Sequence, residues 1–388
     1  MAAVRADVEA LAAMRRGSAS PGERRSAQWA AQRLREAGAA DVALEAFSFQ
    51  GTYAGAQAAH AAAGLVAARR GGWRGAALAG AALASFEGEV SGRAQWLRRL
   101  LPSSEGVNAV ARIPAAGERR STLVLLAHHD AARTGLSWHP RLLRLGAGAA
   151  RRSRRMAPRA APVGLGLALA ALPFAPARRA AGALLGLALL SYADIASSPT
   201  VPGANDNATG VAAALALAAA LAAAPLEHVE VRIVIAGCEE SGMGGTAAWL
   251  ARHGDALDPA CTFVLGLDTL GSGAPIVCAS EATLFEHRYR EEDLALVEQA
   301  ALRAGIDPPE RWRVGAWTDP VLARFAGLPA VSLLSVDEHG GYANWHWPTD
   351  TPEHVDWGSV ERCLALAGAI ADELARRLQV PQEPENSG

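Results

Sequence analysis

The sequence contains no lysine, so all 37 of its basic residues are arginine. Alanine and glycine are abundant, and we therefore attribute this bias to genome composition rather than to function. Aromatic residues make up only 5% of the chain, although hydrophobic residues reach 51%. A chain of 388 residues with this apolar content can bury a large core, either as one α/β domain with insertions or as two domains.

Cysteine is also scarce. Cys238, Cys261, Cys278 and Cys363 form no Cys-x-x-Cys pair and are too few for a disulfide scaffold. We expect them to be small buried residues in a reducing compartment. No uninterrupted apolar stretch follows a basic start within residues 1–36, so we expect no signal peptide and a cytoplasmic catalytic domain.

Acidic residues are absent from one long segment. Residues 131–193 contain ten arginines and no Asp or Glu, whereas the rest of the chain has 27 arginines against 39 acidic residues. The net charge of −2 therefore hides one basic segment in an otherwise acidic chain.

Apolar periodicity predicts helices that alternate with strands along most of the chain. Helices are predicted at residues 3–15, 23–37, 210–223, 242–252, 293–304 and 360–378, and strands at 42–49, 107–113, 122–127, 229–236, 262–267 and 330–334. This alternation predicts an α/β fold in which helices cover both faces of a mostly parallel mixed sheet. We assign it to a single catalytic domain, residues 1–378, followed by a polar disordered tail, residues 379–388.

Two apolar stretches interrupt the alternation, and each is predicted to form a helical hairpin. The first insertion spans residues 54–88; the second spans 131–200 and has arms at 160–177 and 180–193. Each arm is shorter than the roughly 20 residues of a standard membrane span. Seven arginines precede the second hairpin and two lie at its tip, which is typical of a segment held at an anionic membrane surface from the cytoplasmic side. We favour membrane association; a soluble lid or a dimerisation surface is the alternative.

Potential metal ligands follow the ends of three predicted strands. His128, the pair Glu239 and Glu240, and Asp268 each come directly after a buried strand or after a short turn that follows it. Because ligands bind beyond the carboxyl ends of strands in open α/β sheets, we expect these side chains to meet at one edge. Of the two adjacent glutamates, one can bind a metal while the other accepts a proton from water.

Two further residues extend this set. Asp206 lies in Gly-Ala-Asn-Asp-Asn-Ala-Thr-Gly before an alanine-rich helix, where helix capping by Asp206 or Asn207 is the simpler explanation. His346 precedes Trp-Pro-Thr-Asp-Thr, a turn-like stretch. Capping or core packing explains each residue separately but not their joint placement, whereas two imidazoles and several carboxylates suit a pair of zinc ions.

The residues that follow His128 have different predicted orientations. Asp130 can accept the second imidazole N–H of His128 and so fix its tautomer. Strand alternation turns His129 to the other side. The remaining histidines are predicted to be structural: His60, His139, His228, His253, His287, His339 and His354.

In the order and spacing of these motifs, the chain resembles the co-catalytic zinc exopeptidases typified by aminopeptidase Y and aminopeptidase S, metallopeptidase family twenty-eight. The resemblance covers about residues 122–378, interrupted by the second insertion. It implies a phosphorylase/hydrolase-like zinc exopeptidase fold, two Zn²⁺ ions and a peptide or aminoacyl substrate, with no nucleic-acid partner.

The resemblance also implies roles for individual residues. His128 and Asp268 would complete one zinc site, Glu240 and His346 the other, and Asp206 would bridge them. Glu239 would be the general base and acid, and Asp130 the partner of His128. Trp345 stands where some relatives have a tyrosine that stabilises the oxyanion, and Asp319 stands where many have Ser-Asp-His. The oxyanion donor and the role of Asp319 therefore stay unassigned.

These features predict a zinc-dependent hydrolase of peptide (amide) bonds, an aminopeptidase-type exopeptidase that uses water activated by two zinc ions. A glutaminyl-cyclase-like acyl transferase is one alternative, and the retained His128 and Asp268 argue against its single-zinc chemistry. A non-catalytic membrane-associated protein on the same scaffold is the other. Missing ligands would indicate that alternative, and no ligand is missing.

Overall fold

The computed structural model describes residues 1–145 and 147–379, and a single mixed sheet forms its centre. In these residues the strands are β1 (Ala40–Phe49), β2 (Ser104–Ile113), β3 (Ala116–His128), β4 (Glu227–Ala236), β5 (Thr262–Leu267), β6 (Ala274–Ala282), β7 (Glu286–Arg288), β8 (Glu310–Val314) and β9 (Ala330–Val336). The sequence pattern predicts all of them except β6, β7 and β8. Strand β7 has only three residues and β8 alternates charged with apolar residues, so neither gives the apolar run of a buried strand.

The sheet is parallel at its centre and antiparallel towards its edges. Its order is β1-β2-β4-β3-β5-β9-β6-β7, and β8 pairs with β6. Strands β4, β3, β5 and β9 are mutually parallel neighbours, whereas β1, β2 and β7 join antiparallel partners. Every residue of β5 and β9 is buried. The predicted α/β class and central parallel sheet are confirmed.

Helices flank this sheet. In the described part of the chain they are α1 (Ala2–Ala12), α2 (Pro21–Glu36), α3 (Ala54–Arg70), α4 (Gly72–Val90), α5 (Pro140–Leu143), α6 (Ala147–Ser153), α7 (Ala161–Ala170), α8 (Ala175–Ser197), α9 (Thr209–Ala223), α10 (Gly244–His253), α11 (Glu291–Arg303), α12 (Pro320–Phe325) and α13 (Trp357–Gln379). The predicted helices outside the insertions correspond to α1, α2, α9, α10, α11 and α13. Helix α13 reaches the first residue of the predicted tail, and the rest of that tail, residues 380–388, lies outside the described residues.

The arms of the second insertion have different lengths from those predicted. Helix α7 has 10 residues and α8 has 23. Pro173 falls in the turn between them, and Pro176 stands in the first turn of α8, where proline is well tolerated. The expectation that both arms are shorter than a membrane span is therefore wrong for α8.

The two insertions pack against each other. Helices α3, α4, α7 and α8, which we call the four-helix unit, share a hydrophobic cluster separate from that of the sheet. Gly64 permits their close approach, because a Cβ atom there would lie 2.5 Å from Leu167 and 2.6 Å from Leu185. Two segments that are distant in sequence thus form one apolar core.

Candidate active site

The structure brings the predicted ligands together at the carboxyl ends of the central strands. His128 is the last residue of β3 and pairs in register with Ala236 of β4. Glu239 and Glu240 follow β4 after a two-residue turn, and Asp268 directly follows β5. Because these strands are adjacent and parallel, their ends lie at one edge of the sheet.

Asp206 lies between the two predicted ligand histidines. One carboxylate oxygen, Oδ1, is 3.3 Å from His128 Nε2, and the other, Oδ2, is 3.2 Å from His346 Nε2. Asp268 Oδ1 lies 3.7 Å from His128 Nε2, and Glu240 Oε2 lies 3.1 Å from His346 Nε2. Two groups of three ligand atoms therefore share Asp206. A carboxylate in this position can bridge two metal ions.

The loop that carries Asp206 is held by side chains on both sides. Asp350 accepts hydrogen bonds from the backbone N–H groups of Asn205 (2.7 Å) and Asp206 (3.1 Å). Asn207 accepts a hydrogen bond from the backbone N–H of Gly210, in the first turn of α9, at 2.9 Å, so Asn207 rather than Asp206 makes the capping contact. The side chain of Asp206 is thereby left to face the histidines.

A buried arginine fixes the preceding turn of the same loop. Arg16 is fully buried and donates hydrogen bonds to the carbonyl groups of Leu11, Pro202 and Gly203. Burial lowers the pKa of Arg16 to about 10, although the charges of Asp350 and other nearby carboxylates oppose this shift. The N-terminal segment therefore takes part in forming the site.

Asp130 connects two of the strand ends, as well as lying beside His128. Its carboxylate accepts hydrogen bonds from the Ser18 hydroxyl (2.6 Å) and from the backbone N–H groups of Glu239 (3.1 Å) and Glu240 (3.2 Å). Asp130 Oδ1 is also 3.4 Å from His128 Nδ1, on the side that sequence reasoning predicts. This one carboxylate therefore holds the backbone of both glutamates and lies beside the imidazole.

His129 points away from the cluster, as strand alternation predicts. Its Nδ1 hydrogen-bonds with Ser26 Oγ at 2.7 Å, and its Nε2 with the Val107 carbonyl at 2.8 Å. Burial lowers the pKa of His129 to about 4. It is thus a neutral core residue.

The cluster has the chemistry of a metal site. Burial raises the pKa of Glu239 well above its ordinary value and that of Glu240 to about 7, and neighbouring carboxylates add to both shifts. Glu240 Oε1 is buried without a hydrogen-bond partner among the described residues. Divalent cations would neutralise these charges, and zinc binds imidazole and carboxylate groups of this kind. The residues present therefore fit a pair of zinc ions.

Residues 188–371 match the model of peptidase family M28. The matched region contains Asp206, Glu239, Glu240, Asp268 and His346, whereas His128 precedes it. No curated protein matches the chain by sequence.

Solved structures with the same fold include zinc aminopeptidases and a cyclase. The chain is similar to BSAP, a zinc aminopeptidase from Bacillus subtilis (15% identity, 95% of this chain and 93% of that one, TM-score 0.55). It is similar to a glutaminyl cyclase from Bacteroides thetaiotaomicron (14% identity, 96% and 97%, TM-score 0.56) and to LapB from Legionella pneumophila (12%, 96% and 72%, TM-score 0.57). At these identities the likeness shows the fold.

Residues outside the M28 match complete the surroundings of the cluster. Trp138, from the second insertion, places its ring 4.2 Å from that of His346 and 4.9 Å from that of Trp345. The contact of Trp138 with His346 cannot be predicted from the sequence, because nothing near Trp138 indicates a partner 208 positions further along the chain.

Tyr342 is a second residue that sequence reasoning misses. It lines the same cavity as Asp268 and His346, and its hydroxyl is buried without a hydrogen-bond partner in the described part of the chain. One sequence signal could have pointed to it: position 345 holds tryptophan where some relatives have tyrosine, so another tyrosine nearby is worth considering. Tyr342, three residues earlier, is a candidate oxyanion donor.

Asp319 also lies close to the cluster, although it belongs to neither ligand group. Burial raises its pKa to about 7, with Asp268 and Asp130 adding to the shift and His128 opposing it. Among the described residues, none of the seven other histidines joins a ligand group. Cys238, Cys278 and Cys363 are buried as predicted, whereas Cys261 is half-buried.

Proposed function

We propose that this protein is a zinc-dependent hydrolase of peptide (amide) bonds, an exopeptidase of the aminopeptidase type that uses two Zn²⁺ ions. The observation that carries the proposal is Asp206, whose two carboxylate oxygens face different histidines. The M28 match and the fold likeness to a zinc aminopeptidase support the same reaction class.

The two groups that share Asp206 would hold the metals. His128 and Asp268 would bind one ion, Glu240 and His346 the other. When bound, the metals would polarise the scissile carbonyl and lower the pKa of water at the site.

Glu239 is the carboxylate left for proton transfer. Its Oε2 lies 3.9 Å from His128 Nε2, within the cluster but outside the two groups built on Asp206. Glu239 would accept a proton from the attacking water and donate it to the leaving nitrogen, while the Tyr342 hydroxyl donates to the developing oxyanion. Asp130 would hold the Glu239 backbone and the His128 ring throughout.

We expect purified protein to contain two zinc ions per chain and to lose activity on chelation. Elemental analysis gives the stoichiometry, and a panel of aminoacyl amides, C-terminal peptides and N-acyl amino acids gives the activity before chelation and after zinc is restored. If zinc-loaded protein cleaves no member of this panel, the proposed function is wrong.

Glutaminyl cyclisation is the second candidate, because the cyclase from Bacteroides thetaiotaomicron shares the fold over nearly the whole chain. A peptide with N-terminal glutamine separates the two reactions, since cyclisation releases ammonia and leaves the peptide bond intact. Hydrolysis releases the terminal residue instead.

We further propose that the insertions at residues 54–88 and 131–200 hold a cytoplasmic catalytic domain at a membrane surface. In the described chain, α8 and the stretch Ala204–Ala223 are both long and apolar enough to span a membrane. The stretch Ala204–Ala223 is a core helix, because 72% of its most apolar segment is buried, whereas only 22% of that segment is buried in α8. Leu145 and Phe174 are largely exposed, and so are Arg141 and Arg144. Arg151 and Arg154 instead pair with Glu310, so part of the basic segment is docked on the sheet domain.

Vesicle binding tests the membrane proposal. We expect the protein to sediment with vesicles that contain anionic lipid, and Arg141→Glu with Arg144→Glu to weaken binding at least tenfold, because each basic residue near the surface contributes about 1 kcal/mol. Arg120→Glu, at an exposed position outside the insertions, is the control. Equal binding by all three proteins, or none by the wild type, would contradict the proposal.

A further inference from the structure

The metal-ligand cluster opens into a cavity of about 760 Å³ that the insertions help to enclose. Helix α8 contributes one face to its wall, from Leu184 through Leu187 to Ile195. At 1.5 Å per residue this face is roughly 16 Å long. An extended peptide advances by about 3.5 Å per residue, so the wall is much longer than one aminoacyl group.

Most side chains along this wall are apolar, including some at the solvent-exposed rim. Leu187 and Leu190 both line the cavity, yet they are 66% and 70% exposed. Leu136 and Leu142, from the start of the same insertion, line the cavity and are also largely exposed. Apolar side chains grouped in this way at a cavity rim are typical of a binding surface for an apolar ligand.

The cavity offers few carboxylates for an ammonium group. Outside the metal cluster, its acidic lining residues in the described chain are Glu89 and Asp194. Glu89 forms a buried ion pair with Arg98 at 2.6 Å, and Asp194 accepts a hydrogen bond from the Leu136 backbone N–H at 2.6 Å. The charge of Glu89 is therefore compensated by Arg98, and Asp194 is the one carboxylate of this pair without a cation partner among the described residues.

A cation is available instead. Arg159 lines the cavity, and its guanidinium lies 5.6 Å from the ring centre of Trp345, the neighbour of His346. No carboxylate among the described residues lies within ion-pair distance of it. An arginine without an ion-pair partner beside a reaction centre is suited to bind a substrate carboxylate.

We propose that the cavity binds a long-chain N-acyl amino acid, with the acyl chain along α8 and the carboxylate at Arg159. The inference rests on the proposed amide hydrolysis and replaces the aminoacyl group of an aminopeptidase substrate by a fatty-acyl group. Water adds across the amide: the C–N bond breaks, the acyl carbon gains the hydroxyl group, and the nitrogen gains a proton. The products are a fatty acid and a free amino acid.

A chain-length series on the zinc-loaded full chain tests this proposal. N-acetyl-, N-hexanoyl- and N-decanoyl-alanine, each kept below micelle-forming concentration, are compared by release of alanine. We expect kcat/KM to rise more than tenfold from hexanoyl to decanoyl, because each fully buried methylene contributes up to about fourfold. Calorimetric binding of decanoate provides a readout that does not depend on turnover.

Two variants test where the acyl chain and the carboxylate of the substrate bind. Leu187→Glu should lower kcat/KM for decanoyl-alanine more than tenfold and weaken decanoate binding, while acetyl-alanine changes less than about twofold. Leu165→Glu is the matched control, since Leu165 is 53% exposed on α7 and does not line the cavity. Arg159→Gln should raise KM about tenfold for decanoyl-alanine but not for N-ethyldecanamide, which has no carboxylate.

The outcomes separate this inference from the proposed function. The inference would be overturned if aminoacyl amides were cleaved and the N-acyl-alanines showed no dependence on acyl-chain length. It would also be overturned if Leu165→Glu had the same effect as Leu187→Glu. Either result would leave amide hydrolysis standing. Decanoate binding that depends on Leu187, without cleavage of any amide, would support the acyl-chain site and overturn the hydrolase.

Discussion

Replacing Glu239 by glutamine should lower kcat by about a hundredfold to ten-thousandfold, the usual contribution of a general base, and leave the zinc content unchanged. The two ligand groups that share Asp206 are complete without Glu239. Glutamine has the same shape but accepts no proton at neutral pH, and the backbone N–H of residue 239 can still donate to Asp130. Elemental analysis and steady-state kinetics on the same preparation measure the two effects.

Glu338→Gln is the control for this experiment, because Glu338 is an exposed carboxylate that belongs to none of the ligand groups. It should match the wild type in both measurements. A fully active Glu239→Gln protein would exclude Glu239 as the base. A Glu239→Gln protein that has lost zinc would make Glu239 a ligand instead.

Replacing Asp206 by alanine should remove both the metal and the activity, with turnover falling to background. Asp206 supplies an oxygen to each ligand group, so its loss leaves only two ligands on each side. Structural and catalytic zinc sites need at least three protein ligands to bind tightly. Zinc content by elemental analysis should therefore fall together with kcat.

The control for Asp206→Ala is Asp307→Ala, at an exposed position outside the site. Circular dichroism should show that both variants remain folded, since the Asn207 cap and the Asp350 hydrogen bonds do not involve the Asp206 side chain. Retention of two zinc ions and activity by Asp206→Ala would contradict the bridging role.

The metal-ligand cluster is predictable from sequence because strand ends can be read from local patterns. His128 ends β3 and Asp268 directly follows β5, and the apolar runs before them mark buried parallel strands. Adjacent parallel strands place their ends at one edge whatever the rest of the chain does. Asp206 is different, because its local sequence suits both a helix cap and a metal ligand. Only the three-dimensional contacts show that Asn207 makes the capping hydrogen bond.

The cavity wall was beyond sequence reasoning, because its contacts depend on tertiary packing. The hairpins are recognisable as apolar interruptions, but nothing in either segment indicates that Gly64 lies against Leu167 and Leu185. The approach of Trp138 to His346 likewise depends on how the second insertion folds over the sheet. Strand β8 escapes sequence reasoning for a related reason, since Arg311, next to its apolar residues, pairs with Glu291 and Glu298 rather than marking a loop.

The shared core of the four-helix unit also constrains how this protein can have evolved. A chain with only the first hairpin would expose Phe86 and the alanines around it to water, and a chain with only the second would expose Leu167 and Leu185. Neither intermediate has an obvious soluble form. We therefore expect the two insertions to be gained and lost together. Homologous sequences should have both or neither, although about 40 residues of the sheet domain separate them along the chain.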